Sequence, residues 1–408
     1  MTEFAIRNAT LVDVSDGSLH RQVTVQIVNG KIKAVDQGSA VGSGPGSIDA
    51  KGGYLLPGLC DAHVHVTAGT FDFAALTKWS PTYTAVRAAG ILNDMLMRGF
   101  TTVRDAGGAD FGIAQAINEG HIRGPRLLFG GKALSQTGGH GDMRGRGENV
   151  YDICYCCAGL GRICDGVSDV RRACRDEIRR GANHIKLMVS GGASSPTDRI
   201  DSTQFSIEEI RAAVEEADAA NIYVMAHAYT ARAANRALEN GVRSIEHANL
   251  IDDSTRKILK EKNAFVVPTM ITHQVATEIG HKIGLPPAMI EKTLQVVEAG
   301  RREHALSHKA GVKMAFGTDL LGEMHVHQLR EFEMRSAFQD PIDTWRAATL
   351  TAAELFNMSG VIGVVRQGAH ADLLVYDRNP LEDLGAVMAP EEHLKFIAKG
   401  GLIAKNAL

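Results

Sequence analysis

The chain has 408 residues, of which 44% are hydrophobic and 22% charged, and its net charge is −3, an ordinary composition for a globular enzyme. This charge gives no basic pattern of the kind that marks nucleic-acid-binding proteins. No apolar run reaches the ~20 residues of a membrane helix, and residues 1–5 lack the features of a signal peptide, so we expect a cytoplasmic protein without nucleic-acid or membrane partners.

Short strands separated by turns are predicted at both ends of the chain. Apolar or alternating patterns recur in residues 4–13, 23–28, 31–35, 371–376 and 394–401. Asn29-Gly30 is a strong turn signal between the second and third of these segments. We therefore expect residues 1–57 and 360–408 to join in one small β-sandwich domain outside the central body.

Strand and helix patterns alternate through residues 58–359, which indicates parallel strands joined by crossover helices. One such helix is predicted at 206–220, where apolar residues repeat at helical spacing behind the N-cap Ser206. Eight strands are predicted, near residues 59–66, 101–105, 126–130, 184–189, 223–227, 244–247, 264–268 and 313–318. This α/β pattern predicts a (β/α)8 TIM barrel. A doubly wound sheet is the alternative, but it would not bring five strand ends to one point.

Chemically active residues stand at the ends of several of these strands. His63 and His65 are two apart in the first strand, so both imidazoles face one side and can bind one metal ion. Lys186 lies among apolar residues of the fourth strand, where a buried ammonium is costly unless it is paired or neutralised. Strands five, six and eight end in His227, His247 and Asp319. In a TIM barrel these strand ends meet at one face.

Each of these residues has a simpler explanation when it is considered alone. A strand-end histidine is more often a hydrogen-bonded core residue than a ligand, and a single buried lysine such as Lys186 is more often ion-paired. Asp319 alone could cap the following helix. The occurrence of all six in this order, each on its own predicted strand position, favours a shared metal site.

The order of these residues resembles the amidohydrolase superfamily in its two-metal form. Three segments are more specific, at residues 99–108, 134–140 and 311–322. They resemble the branch that contains metal-dependent Xaa-Pro dipeptidases (prolidases) and other carboxypeptidase-like dipeptidases, and bacterial amidohydrolases that cleave ochratoxin-type amides are similar too. The resemblance covers essentially the whole chain.

The resemblance implies a binuclear site with two divalent metal ions of the Zn²⁺ type. Lys186 would carry CO₂ as a carbamate that bridges the two ions. The remaining implied ligands are His63, His65 and Asp319 for one ion, and His227 and His247 for the other. The implied chemistry is metal-assisted hydrolysis, in which Asp319 passes a proton from the attacking water to the leaving nitrogen.

Three further residues are candidates for substrate binding, and His140 is also a candidate catalytic group. His140 follows strand three in a glycine-rich loop, where it could hydrogen-bond the substrate carbonyl or carboxylate; a structural loop histidine is the alternative. Tyr229 shares the face of His227 and could donate to a carboxylate, or it is a rim tyrosine. Arg144 could pair with a carboxylate, although a solvated loop arginine is the more common case.

These observations favour a metal-dependent hydrolase that cleaves the amide bond of small substrates with a terminal carboxylate, with Xaa-Pro dipeptides first. The main alternative is an N-acyl amino acid amidohydrolase that accepts aromatic, ochratoxin-type amides. A non-catalytic barrel scaffold is a further alternative, but such proteins usually lose ligands. The sequence leaves open the exact substrate, the metal, and whether the protein is a homo-oligomer.

Five of the six cysteines crowd into one stretch, at Cys154, Cys156, Cys157, Cys164 and Cys174. Their spacing does not match a standard zinc ribbon. Free thiols in a reducing cytosol are the favoured interpretation, with a second, structural metal site or a disulfide as alternatives. The role of this cluster is not determined by the sequence.

Overall fold

The computed structural model describes residues 3–38, 46–148, 158–195 and 197–408. Its strands are β1 (Glu3–Val12), β2 (Leu19–Val28), β3 (Lys31–Gln37), β4 (Ser47–Asp49), β5 (Tyr54–Pro57), β6 (Leu59–Val64), β7 (Phe100–Asp105), β8 (Arg126–Phe129), β9 (Ala133–Ser135), β10 (Gly161–Ile163), β11 (His184–Met188), β12 (Tyr223–Thr230), β13 (Ser244–Leu250), β14 (Phe265–Val267), β15 (Lys313–Met314), β16 (Leu373–Tyr376), β17 (Leu394–Lys399) and β18 (Leu402–Asn406).

Helices occupy most of the connections between the central strands. They are α1 (Phe73–Leu76), α2 (Pro81–Met97), α3 (Phe111–Asn118), α4 (Val167–Arg179), α5 (Ile207–Ala219), α6 (Ala231–Glu239), α7 (Asp253–Glu261), α8 (Met270–Ile279), α9 (Pro287–Lys309), α10 (Arg330–Arg335), α11 (Pro341–Arg346), α12 (Ala352–Leu355), α13 (Leu384–Met388) and α14 (Pro390–His393). Short 3₁₀ and π turns cover Gly322–His327 and Ala347–Thr351. No helix in the described part of the chain is both long and apolar enough to span a bilayer.

Both ends of the chain contribute to one eight-stranded mixed sheet, in the order β18-β17-β16-β5-β1-β2-β3, with β4 paired to β1. The β2–β3 hairpin turns at Asn29 and Gly30, whose φ angles of 50° and 78° suit the hairpin turn that this dipeptide favours. Antiparallel pairing of β5 with β16 joins the two ends, with Leu55 opposite Val375. Apolar residues from both ends share one buried core.

The central strands form two sheets, β6-β7-β8 and β10-β9-β11-β12-β13-β14-β15, and every pairing within them is parallel. All eight central strands expected from the sequence are present, and β9 and β10 are additional. Every residue of β6, β7 and β11 is buried, as parallel strands covered on both faces require. The mixed α/β architecture is therefore confirmed.

Backbone hydrogen bonds connect the two central sheets at both of their edges. At one edge the Asn183 amide donates to the Phe129 carbonyl over 2.8 Å. At the other, the amides of Ala62 and Asp319 donate to the carbonyls of Phe316 and His63, each over 2.7 Å. These last bonds place the segment after β15 directly beside the end of β6.

The predicted helix at 206–220 is also confirmed, as α5. Ser206 is its N-cap and forms a capping box with Glu209, in which each side chain accepts a hydrogen bond from the other residue's backbone. This arrangement satisfies two amides that the first helical turn leaves unpaired. The helix follows β11 and leads into β12, so it links two strands that carry candidate site residues.

Candidate metal centre

Three residues of the candidate site have a strained backbone conformation. His247, Thr269 and Asp319 have φ angles of 73°, 48° and 53°, in the left-handed region that non-glycine residues rarely adopt. Such strain costs about 1–3 kcal/mol per residue and persists where surrounding structure enforces it, often at functional sites. Two of the three residues are predicted ligands, and the third contacts one of them.

His63, His65 and Asp319 come together as a compact group of three metal-ligating side chains. Asp319 Oδ1 lies 3.3 Å from His63 Nε2 and 3.2 Å from His65 Nε2. The ligand atoms of the three residues all lie within 4.8 Å of one another. Two atoms bound tetrahedrally to one ion at ~2.05 Å are themselves about 3.3 Å apart, so this spacing suits a shared cation.

The ring nitrogens of three candidate ligands are distinguished by their hydrogen bonds. His63 Nδ1 donates to Glu246 Oε2 over 2.7 Å, and His65 Nδ1 donates to the Gly107 carbonyl over 2.8 Å. His227 instead donates from Nε2 to the Gly191 carbonyl over 3.1 Å. These oxygens can only accept, so in the neutral form of each imidazole the opposite nitrogen would carry no proton and would be available to a metal.

His227 and His247 lie beside this group, and both rings are buried. Their centroids are 4.7 Å apart, and the His247 ring is 5.2 Å from that of His63. Burial, followed by nearby basic groups, holds the pKa of both His227 and His247 well below the ordinary value, so both are neutral imidazoles. Thr269 Oγ1, 2.7 Å from His247 Nδ1, fixes the orientation of the second ring.

Lys186 projects from β11 into the same cavity and is 1% exposed. Burial lowers the pKa of its ammonium to about 8, while nearby Glu246 and Asp319 raise it. Near pH 8, a substantial fraction of the protein molecules therefore has Lys186 as a neutral amine. The neutral amine is the form that can react with CO₂. The structure brings together all six residues that the sequence placed at the strand ends.

The structure also adds two charged residues that the sequence analysis did not identify. Glu246 precedes His247 in β13 and accepts hydrogen bonds from His63, from Ser244 over 2.7 Å, and from Arg104 over 2.9 Å. Both Glu246 and Arg104 are fully buried. Each is an ionisable residue within a predicted central strand, as Lys186 is.

The three predicted substrate-binding residues differ in their positions. His140 lines the cavity, and its ring stacks on His227 with centroids 4.1 Å apart. Arg144 also lines the cavity, and its Nε and Nη2 atoms bind the Asp142 carboxylate at 2.7 and 2.6 Å. The Tyr229 hydroxyl is 2.8 Å from His273 Nε2, and Tyr229 is not part of the cavity lining among the described residues.

The cavity above the ligands has a volume of about 700 Å³. Apolar side chains make up much of its wall, from Phe73, Leu76, Met143, Leu160, Ile163, Met188 and Leu321. The candidate metal ligands thus share the cavity with an apolar wall, into which charged residues such as Lys78, Lys132 and Glu148 are interspersed. This combination suits a small organic molecule with one polar reacting group.

Three cysteines lie in the described part of the chain, Cys60, Cys164 and Cys174, and all are buried free thiols. Burial raises the pKa of all three thiols, that of Cys174 to about 12. Cys154, Cys156 and Cys157 lie outside the described residues. The free-thiol interpretation therefore holds for Cys164 and Cys174.

Comparison with known proteins identifies a family match and a similar enzyme. The model of the Amidohydrolase family matches residues 54–405. Ochratoxinase from Aspergillus niger is 32% identical over 365 residues, covering 86% of this chain and 76% of its own.

Two solved structures are similar along nearly the whole chain. A prolidase complexed with N-methylphosphonate-L-proline is 44% identical with a TM-score of 0.97, covering 99% of this chain and 100% of its own. An Xaa-Pro dipeptidase with methionine bound in its active site is 27% identical with a TM-score of 0.87, covering 98% and 99%.

Proposed function

Because the chain belongs to the amidohydrolase family, we propose that it is a metal-dependent hydrolase that cleaves the amide bond of small substrates with a terminal carboxylate. Xaa-Pro dipeptides are the substrates expected first. The observation that carries the proposal is the convergence of four histidines, Lys186 and Asp319 in one cavity. The similarity to a prolidase and an Xaa-Pro dipeptidase supports the substrate class.

The donor set fits two divalent cations of the Zn²⁺ type, since imidazole and carboxylate are ordinary zinc ligands. His63 and His65 would bind through Nε2 and His227 through Nδ1, the nitrogens that their hydrogen bonds leave without a proton. His247 and Asp319 complete the set. When bound, such ions lower the pKa of water and polarise a carbonyl group.

Lys186 would contribute to the site as a carbamate. Its ammonium would first lose a proton to solvent, and the resulting neutral amine would attack CO₂. An N–C bond forms as the electron pair of one C=O bond moves to oxygen, and a second proton leaves to solvent, so that the cationic side chain becomes an anion with two ligand oxygens. The lowered pKa of the ammonium supports this step. The change also removes the cost of burying a positive charge beside metal ions.

Asp319 would carry the proton in hydrolysis. Its carboxylate faces His63 and His65, and although burial raises its pKa, His63 and other nearby histidines hold that pKa well below the ordinary value. The carboxylate would accept the proton of the attacking water and deliver it to the leaving nitrogen as the C–N bond breaks. His140 would contact the substrate, which its position in the cavity lining supports, and Arg144 stands at the cavity wall with its carboxylate partner Asp142.

A second candidate function is hydrolysis of N-acyl amino acids with aromatic groups. The 32% identity to ochratoxinase and the apolar wall of the 700 Å³ cavity favour this reading, because a fused aromatic acyl group needs more apolar surface than the first residue of a dipeptide. A non-catalytic scaffold would have no need for about two metals per chain, so metal analysis separates that possibility.

The proposal is tested with zinc-reconstituted protein and three substrates: an apolar Xaa-Pro dipeptide, its C-terminal amide, and an N-acyl phenylalanine. We expect fast release of proline from the dipeptide and poor cleavage of the amide, because donors that pair with the carboxylate would be left unsatisfied. Equal rates on acid and amide contradict carboxylate recognition. Cleavage of the N-acyl phenylalanine alone would favour the second function. A protein that binds no metal and cleaves none of the three substrates would favour the non-catalytic scaffold.

We infer in addition that eight strands of the two central sheets, β6–β8 and β11–β15, form one closed barrel within residues 58–359. The backbone hydrogen bonds at both sheet edges support this arrangement. We likewise propose that residues 1–57 and 360–408 make one domain of β-sandwich type, which the shared core of the terminal sheet supports.

A further inference from the structure

The candidate metal group draws on two strands that no regular ladder joins. His63 lies in β6 and His65 follows its last residue, whereas Asp319 follows β15, which has two residues. Among the described strands, β6 pairs with β7 and β15 pairs with β14. The separation of Asp319 from the two histidines therefore depends on irregular contacts between the end of β15 and β6.

The Asp61 side chain makes such contacts and is 0% exposed. Its Oδ1 accepts from the His63 amide over 3.0 Å and from the Thr318 amide over 3.1 Å. Its Oδ2 accepts from Thr318 Oγ1 over 2.6 Å and from Gln328 Nε2 over 2.9 Å. The carboxylate thus ties β6 to the residue that directly precedes Asp319, and both of its oxygens are in use.

The third partner of this carboxylate, Gln328, is itself held in one orientation. Its side chain is buried, and its Oε1 accepts from Arg98 Nε over 3.0 Å. Because Arg98 can only donate, the oxygen of the Gln328 amide faces Arg98 and its NH₂ group faces Asp61. A buried carboxylate is costly unless it is hydrogen-bonded, and here donors from three residues satisfy it.

The turn that Asp61 contacts is strained. Asp319 has a φ angle of 53°, and such a conformation persists when the surrounding structure enforces it. The Asp319 amide donates to the His63 carbonyl over 2.7 Å, while Thr318 bonds Asp61 through its amide and its hydroxyl. These bonds fix the direction in which the Asp319 side chain leaves the backbone, toward His63 and His65.

From these contacts we propose that Asp61 is a positioning residue for the candidate metal group, which sets the separation of Asp319 from His63 and His65. Asp61 acts through Thr318 and is not itself a ligand, because both of its oxygens already accept two hydrogen bonds from the chain. The role rests on the proposed function, since it concerns the same metal-dependent site.

The first test is the substitution Asp61→Asn, which keeps the size of the side chain but removes an acceptor. An NH₂ group in place of Oδ1 would face two backbone amides, and in place of Oδ2 it would face Gln328 Nε2, so a bond is lost in either orientation. We expect zinc affinity, measured by competition with a chelator, to fall by about 10–100-fold, the usual cost of losing a group that orients metal ligands. In metal-free protein, amide hydrogen exchange at Thr318 should become faster.

A second variant removes less of the structure. Thr318→Val deletes only the hydroxyl that donates to Asp61 and should lower zinc affinity by ~10-fold, the lower end of that range. Thr318→Ser keeps the hydroxyl and should retain wild-type affinity. The matched control is Asp372→Asn, which alters another buried carboxylate, paired with Arg126 over 2.7 Å. This control should lower the free energy of unfolding and leave zinc affinity unchanged.

The outcomes separate this inference from the function on which it rests. Wild-type zinc affinity in Asp61→Asn and Thr318→Val overturns the positioning role, whatever their stability, even if the wild-type protein cleaves all its substrates. An equal loss of affinity in Asp372→Asn also overturns it, because the effect would then follow general destabilisation. If the wild-type protein binds zinc and cleaves no amide, while Asp61→Asn weakens zinc binding, the positioning role stands and the proposed function fails.

Discussion

Glu246 offers the sharpest test of how the centre is held together, through the substitution Glu246→Gln. The carboxylate is fully buried and bonds His63, Ser244 and Arg104. Glutamine keeps the volume but removes the negative charge. The Arg104 guanidinium, which is 0% exposed, is then left without the anion that neutralises it.

Two arguments give the same magnitude for this change. Removing one partner of a buried ion pair costs about 3–5 kcal/mol. Burial raises the pKa of Glu246, but Arg104 and His63 together hold it at about 2 against an ordinary value of 4.5, which corresponds to about 3 kcal/mol of stability at neutral pH. Because the folded pKa is depressed, this stability is present above pH 4.5 and is lost as the pH falls toward 2.

We therefore expect Glu246→Gln to lower the free energy of unfolding by about 3 kcal/mol at pH 7.5, measured by urea denaturation of metal-free protein. Loss of the His63 partner should also weaken metal binding by about 10–100-fold, measured by competition with a chelator. The matched control is Glu261→Gln, which removes an exposed partner of Lys257 and should change stability by less than about 0.5 kcal/mol. A change below about 1 kcal/mol in Glu246→Gln, with wild-type metal affinity, would refute the reasoning.

Three other predictions follow from the site and the core. Lys186→Ala should lose metal and activity together, because the carbamate ligand cannot form; full activity with two metals by mass spectrometry would exclude that role. Asp319→Asn should lower turnover by at least ~10²-fold in a proline-release assay, and an unchanged rate would remove Asp319 from proton transfer. Cys164 and Cys174 should resist iodoacetamide in the native protein and react only after unfolding, because burial raises the pKa of both thiols; peptide mapping of rapid native labelling at either would contradict their buried state.

The candidate ligand set was accessible to sequence reasoning because strand periodicity and order along the chain are local properties. His63 and His65 face one side by the two-residue repeat alone, and the strand ends of parallel β/α units meet at one edge. Glu246 and Arg104 carry the same signal as Lys186. Position at a strand end does not identify them, since Arg104 stands before the last residue of β7 and Glu246 lies within β13.

Other features depend on contacts that no local pattern encodes. Ser195 and Asp198 lie in an irregular loop. Only the folded chain brings Ser195 Oγ within 2.8 Å and Asp198 Oδ2 within 3.9 Å of His140 Nδ1. Tyr229 is two residues from His227 in the same strand, but the hydrogen-bond partner of its hydroxyl is His273, which lies in α8. The pairing of Arg144 with Asp142 could not be predicted from the sequence either, because the geometry of the loop decides which neighbour a side chain contacts.

The pairing of β5 with β16 has a consequence for the order of events during synthesis. Only Gly58 separates β5 from β6, the strand that carries His63, and β5 pairs on one side with β1 and on the other with β16. At ribosomal rates of about 5–20 residues per second, roughly 15–60 s pass between the emergence of β6 and that of residues 373–376. During that interval the segment leading to the candidate metal ligands has an open sheet edge. A nascent chain would therefore expose this edge to chaperones or to mispairing before its hydrolytic centre can form.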